Sequence, residues 1–255
     1  MILRPALLSL LAFCSCEATD GYVAAGYMQS SVSGDIALGP SSGGGASSST
    51  DIENNLGIED DDGSLYVKAE VDTAAGRWGV SGFTYSQTGT GVLDGTFGDI
   101  GGLGPGAVVT SELEFNNLKA SWTWDLVEVG VFRFSPGFAI NIFDIDTRVS
   151  SVTPVSAFEE VSVFAPVPMI YLQSEVDLQY VIANLDVGGM HIDLRDAKGT
   201  YWDIDAMLRV RPFEQFEIFG GYRYLEMDAD GRTEGQDFSA DIKLSGWFCG
   251  GMFNF

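Results

Sequence analysis

The residues that could do chemistry in this chain are mostly carboxylates. Glu226, Asp228, Asp230 and Asp237, with a turn glycine at Gly231, follow the ligand spacing of a calcium loop, whose oxygens wrap a hard cation. Strand-like alternation flanks them where helices would be needed, and Thr233 replaces the apolar residue of such a loop, so a solvated acidic loop is the competing interpretation. A second acidic run, Glu59-Asp60-Asp61-Asp62-Gly63, has charge without ligand spacing. His191 is the single histidine, and Asp193 lies two residues on, close enough to make an imidazole a base. No His-x-Ser accompanies it, and an exposed loop histidine is the simpler expectation. With three cysteines, Cys14, Cys16 and Cys249, a zinc site is not expected. These residues lead us to expect no catalytic residue, no cofactor and at most a weak calcium site.

The basic residues are few. Against 36 acidic side chains stand 13 Lys and Arg, a net charge of -23, which excludes a protein that tracks nucleic-acid phosphates. Arg133, Arg209, Arg211 and Arg223 each fall on the polar side of an alternating segment, as do Asp203, Asp205, Glu70, Asp72, Glu112 and Glu114. Charges of both signs on one face could form a selectivity filter. A narrow interior also needs its charges paired, because a lone buried charge is costly, and pairing is the expectation favoured here.

The elements that place these charges are strands. The chain has 32 Gly, 17 Phe, 9 Tyr and 5 Trp, a β composition. From Tyr201 to Arg211 the even positions Trp202, Ile204, Ala206, Leu208 and Val210 are apolar, and the odd positions carry Asp203, Asp205, Arg209 and Arg211. Leu65, Val67, Ala69 and Val71 alternate with Tyr66, Lys68, Glu70 and Asp72 in the same way. Phe132, Phe134, Phe138, Ile140 and Ile142 share another face, and Pro136 in that run predicts a bulge. Two segments change phase: Leu113 and Phe115 against Leu118 to Trp124, and Ala240 to Leu244 against Trp247 to Phe255. Each predicts a one-residue shift, near Asn116-Asn117 and near Ser245-Gly246.

Turn residues divide the chain into about ten strands, near 21-32, 64-74, 77-87, 110-125, 129-148, 163-173, 177-189, 200-212, 216-228 and 237-255. Tight turns are expected near Ala74-Ala75-Gly76, Leu126-Val127-Glu128, Ser174-Glu175-Val176 and Phe213-Glu214-Gln215. Long Gly-, Ser- or Asp-rich connections are expected at 33-63, 88-109, 149-162, 190-199 and 229-236. The Gly/Ser run at 41-49 belongs to the first long loop, which can fold into a barrel mouth through Ile52, Leu56 and Ile58. Short turns on one rim and long loops on the other are the connectivity of a transmembrane barrel.

Residues 1-18 carry Arg4, an apolar run from Ala6 to Phe13 and a small-x-small site at Cys16-Glu17-Ala18, a secretory signal by pattern, with lipidation at Cys14 or Cys16 the alternative. Trp247, Cys249, Gly251, Phe253 and Phe255 share one parity and finish on Phe. In this the chain resembles small bacterial outer-membrane β-barrels of the broad outer-membrane protein A and W class. That resemblance implies that Phe253 and Phe255 form a signal for the barrel-assembly machinery. Outer-membrane barrel enzymes, such as omptin proteases and phospholipase A, resemble the chain in topology; their paired histidine has no counterpart around His191. The sequence therefore predicts an all-β chain: a signal over 1-18 and a single antiparallel transmembrane β-barrel over 19-255, with about ten strands, eight or twelve being the adjacent even counts. The expected place is the bacterial outer membrane, with lipid and lipopolysaccharide as neighbours and no nucleic acid. The expected role is structural or passive small-solute transport through a narrow, charge-paired lumen. The alternative is a surface adhesin using its acidic and Gly/Ser-rich loops.

Overall fold

The structure, a computed structural model, describes residues 20-38, 50-58, 62-93, 106-153, 157-194, 197-233 and 236-255. The expected signal over 1-18, Cys14, Cys16, the Gly/Ser run and Glu59 to Asp61 lie outside these residues, as does the side chain of Asp237. The described residues form strands and turns without a helix: β1 (Asp20–Leu38), β2 (Thr50–Asp51), β3 (Asp62–Thr73), β4 (Gly76–Val92), β5 (Val108–Thr123), β6 (Val127–Val129), β7 (Phe132–Thr153), β8 (Ala157–Asp177), β9 (Val181–Leu194), β10 (Ala197–Phe213), β11 (Phe216–Thr233) and β12 (Gln236–Asn254). Ten of them pair antiparallel in the order β1-β3-β4-β5-β7-β8-β9-β10-β11-β12, and β12 pairs back onto β1 from Tyr22–Asn254 to Leu38–Phe238. The sheet has become a closed barrel, and β2 and β6 are short additions to β1 and β7.

Inside and outside follow the alternation. On β10 the side chains of Tyr201, Asp203, Asp205, Met207 and Arg209 are buried, while Trp202, Leu208 and Val210 are exposed. Exposed apolar side chains of this kind ring the barrel, and at its short-turn end Trp78, Trp122, Trp124 and Phe138 make a chain of ring contacts 5.2 to 6.3 Å apart. An aromatic girdle under an apolar outer band is what a lipid-embedded barrel presents.

Neither expected phase shift occurs. The β4–β5 register runs unbroken from Arg77–Thr123 to Val92–Val108, and β11–β12 from Phe216–Phe253 to Thr233–Gln236. Leu113 and Phe115 point inward, as does Leu244, while Leu118 and Trp247 point outward. The polarity of the two faces inverts along a single regular strand. Near the short turns the outside is apolar and the inside charged; near the other rim the inside is apolar and the outside charged. Such a strand leaves the bilayer and continues in water, where the apolar face must turn inward. Length agrees: a tilted span needs ~9-11 residues, and β7 and β8 have 22 and 21.

For the same reason three expected long loops are largely paired strand. The β7–β8 ladder reaches Ser151–Ala157, β9–β10 reaches Leu194–Ala197 and β11–β12 reaches Thr233–Gln236. Two short turns also sit a few residues later than expected, at Gly130-Val131 and at 178-180. The bulge predicted at Pro136 lies on its partner instead. Thr123 pairs with Gly137 and Val127 with Phe134, so Trp124, Asp125 and Leu126 stand opposite Ser135 and Pro136. Pro136 has no N–H to offer that edge, but its carbonyl accepts from Trp124 N at 3.1 Å.

Candidate functional site

The candidate site is the barrel interior, which has two storeys. The storey nearer the short turns is a charge network. Arg223 is fully buried; its Nη2 donates to Asp203 Oδ2 and to Asn117 Oδ1, each at 3.1 Å. Lys119 Nζ approaches the same Asp203 oxygen at 3.1 Å, and Asn141 Nδ2 donates to it at 2.9 Å. Asn117, Asn141, Lys119, Asp203 and Arg223 come from β5, β7, β10 and β11, so these bonds cross the lumen. Below them Lys68 Nζ bonds Asp186 at 2.8 Å and Glu70 at 3.3 Å, and Gln173 joins Glu70 to Arg77 at 3.0 and 3.2 Å. At the mouth Arg209 pairs with Glu175 at 2.6 Å and with Glu217 at 3.5 Å, and Arg211 with Glu217 at 2.7 Å. Arg133 reaches Glu175 at 3.1 Å, and Asp72 holds Arg77 at 2.6 Å.

The expected lumen charges Asp203, Asp205, Arg209, Arg211 and Arg223 thus do share the interior, but the partners differ from a simple neighbour scheme. Arg209 faces Glu175 and Glu217, not Asp203 or Asp205. Asp205 accepts from the Tyr66 hydroxyl at 3.2 Å. Glu112 and Glu114 are not lumenal: on β5 they share the outward parity of Leu118, and Glu112 meets Arg148 at 3.7 Å on the outer wall. Lys68, Arg77, Lys119, Asp186, Glu175 and Glu217 complete the charged set of the network. Asp186 was legible from alternation, since Ile182, Asn184 and Asp186 share a parity opposite Ala183, Leu185 and Val187. Glu175 was hidden because its segment reads as a turn.

Over the charges lies a layer of rings. Tyr66 stacks on Phe248 at 4.5 Å, and Phe219 lies 6.1 Å from both. Phe83, Phe115, Phe143 and Tyr201 follow one another at 5.9, 5.5 and 5.5 Å. The guanidinium of Arg223 sits 5.0 Å from the Phe83 ring centroid, so the two storeys touch.

Above the rings the segment 50-58 folds into the barrel. Ile52, Leu56 and Ile58 are at most 1% exposed and join Val109, Leu113 and Val149 in the core. It takes the place of a missing stretch of wall, because the β3–β4 ladder ends at Tyr66–Phe83 while β4 continues to Val92. Its backbone lies so close to β4 that a Cβ at Gly89 or Gly91 would collide with the Gly57 or Asn55 carbonyl. Gly57 itself has φ +67°. Asn55 Nδ2 donates to Val92 O at 3.1 Å and fastens the segment.

The other candidates lie on the outer wall. Glu226, Asp228 and Asp230 are not in a loop but alternate along β11 with outward parity, a fully extended arrangement that spreads carboxylates apart; Glu226 is engaged by Lys243 at 3.4 Å. Among the described residues no three His, Cys, Asp or Glu side chains converge as metal ligands. His191 belongs to β9 rather than to a loop, and its Nδ1 lies 3.0 Å from Thr200 Oγ1. Phe253 and Phe255 point away from the barrel, and Phe255 closes the seam by exchanging backbone bonds with Gly21 at 2.9 and 3.0 Å.

No family model matches the chain, and no curated protein is similar to it in sequence. Among solved structures it is similar to the outer membrane protease OmpT from Escherichia coli, at 10% identity over 94% of this chain and 98% of that one, with a TM-score of 0.59. The translocator domain of the autotransporter NalP from Neisseria meningitidis matches at 10% identity, 95% and 93% coverage and a TM-score of 0.42. Ail of Yersinia pestis matches at 12% identity, 92% and 98% coverage and a TM-score of 0.36.

Proposed function

The chain has the outer-membrane β-barrel fold, and we infer that it serves in a bacterial outer membrane as a structural barrel with a closed lumen. The observation that carries this is the span of Arg223, Asp203, Lys119, Asn117 and Asn141 across the interior under two groups of packed aromatic rings. Side chains that bond across a lumen narrow the path for water, and the rings above them offer a hydrated solute little polar lining, since the Tyr66 and Tyr201 hydroxyls are engaged by Asp205 and Asn141. Export through residues 1-18, assembly through Phe253 and Phe255, and contact of the apolar band with lipid and lipopolysaccharide belong to the same proposal.

An enzymatic role through His191 is not the reading favoured by the described residues. The relative named a protease shares the barrel with this chain, but the single histidine here is bonded to Thr200 on the outer wall. A second role, surface binding, is favoured by the height of the wall, which holds Glu114, Asp228, Asp230 and Asp241 exposed on its outer face. Reconstitution into planar lipid bilayers separates structural closure from solute passage. The expected outcome is no steady single-channel conductance in the unmodified protein. Steady, ion-selective openings would replace this reading with a pore.

A further inference from the structure

The wall of the upper storey is interrupted twice, and only one interruption is filled. Segment 50-58 occupies the gap between β3 and β4. Between β8 and β9 the ladder runs from Asp177–Ile182 to Ile170–Gly189 and stops there, although β8 extends back to Ala157 and β9 on to Leu194. Pro166 and Pro168 lie just past the stop. Two residues apart, they present the same strand edge and remove two donors from it, whereas the β7–β8 ladder passes through Ile140–Pro168 and Ile142–Pro166 without a break. No described segment takes the place of β8 along this edge of β9, whose other edge stays paired with β10 up to Leu194–Ala197.

The surface behind the opening is apolar and incompletely covered. Val167 and Met169 of β8 are buried beside it, and Met169 occupies the space that a side chain at Gly188 would take. On the far side Met190, Met227 and Ile242 are only partly buried, and inward-pointing Ile192 is 36% exposed. The facing inner wall is different, with Val109 and Val149 at 1% and 0%. No described charged side chain points inward from β9, β10, β11 or β12 above Asp203 and Arg223. Outside the opening Phe164 and Ile170 are 67% and 66% exposed and continuous with the outer apolar band.

We propose that the β8–β9 seam is a binding site for one acyl chain of a bilayer lipid, lying between the strands against Val167, Met169, Met190 and Ile192. The inference rests on the barrel standing in a bilayer. A chain entering beside Ile170 meets apolar side chains along its path, whereas a water-soluble ligand would need polar side chains to orient it, and the residues Val167, Met169, Met190 and Ile192 supply none. Exposed His191 and Lys198 stand on the outer wall at the polar end, where a headgroup remains in water.

The test uses the full mature chain folded into phosphatidylcholine vesicles that carry a diazirine-labelled acyl chain, irradiated and mapped by peptide mass spectrometry. Adducts are expected on the inward residues Val167, Met169, Met190 and Ile192 as well as on the outward band at Phe164, Ile170 and Trp202. Replacing Pro166→Ala and Pro168→Ala together restores both donors, and zipping the seam should reduce the inward adducts at least fivefold while the outward ones persist. Adducts confined to the outward band in the unmodified protein would overturn the seam proposal and leave the membrane reading intact. Absence of adducts from the outward band would overturn both. Unchanged inward labelling in a correctly folded double variant would show that the interrupted ladder is not the route.

Discussion

At the scale of single residues, the interior is held by pairs whose members cannot be spared one at a time. Lys68 and Asp186 are 5% and 1% exposed and meet at 2.8 Å. Removing one member of a buried pair leaves a charge in a poor solvent, and this costs more than removing both. Lys68→Met should therefore destabilise the barrel by about 3-5 kcal/mol, and adding Asp186→Asn should restore a substantial part of that loss. The check is a double-mutant cycle from urea titrations in lipid vesicles. Strictly additive losses would mean that each charge is separately hydrated, as in an open pore. Residue identity on the lumen face could be read from alternation, as Asp203, Arg209 and Arg223 demonstrate, but partner choice could not. Arg209 meets Glu175 of β8 across β9 and Glu217 of the paired strand β11, two residues from its register partner Phe219, and only the register and the reach of the side chains decide that choice.

At the scale of elements, one strand carries two environments in series. The outward face of β10 is apolar from Trp202 to Val210, and Leu208→Arg or Ala206→Arg should cost roughly 2-4 kcal/mol if the position lies near the bilayer midplane. On β5 the outward face changes from Leu118 and Trp122 to Glu112 and Glu114, so Leu118→Arg should be costly and Glu114→Arg nearly neutral. Folding titrations of the β5 pair check the boundary; losses below about 0.5 kcal/mol for both would mean that this face never meets lipid. All ten wall strands were legible, five of them as alternating runs and the others from the turn residues between runs. Their upper ends were not, because charged outward residues such as Asp228 and Asp230 read as loop when the strand is assumed to end at the membrane. The same assumption turns an inversion of polarity, at Asn116-Asn117 and at Ser245-Gly246, into an expected slip of register.

At the scale of the whole molecule, the two storeys are stabilised by different solvents and should fail separately. On the proposed function the lower one is enclosed by lipid and closed by ion pairs, and the upper one stands in water around Ile52, Leu56 and Ile58. A closed barrel has no free edge for detergent to attack, so the unmodified protein should migrate faster on gels before heating than after it. Leu56→Asp places an unpaired carboxylate in the upper core, among side chains such as Val109 and Leu113 that cannot solvate it. Hydrogen exchange should then accelerate in Thr50–Asp51 and in the upper halves of β4 and β5, while amides around Lys119, Asp203 and Arg223 keep their protection. The substituted barrel should still shift on heating, and it should still fail to conduct, because the aromatic layer and the ion pairs lie below the damage. Steady conductance in the Leu56→Asp protein would show that segment 50-58 is the seal, and that the network beneath it surrounds a pore that the segment normally stoppers.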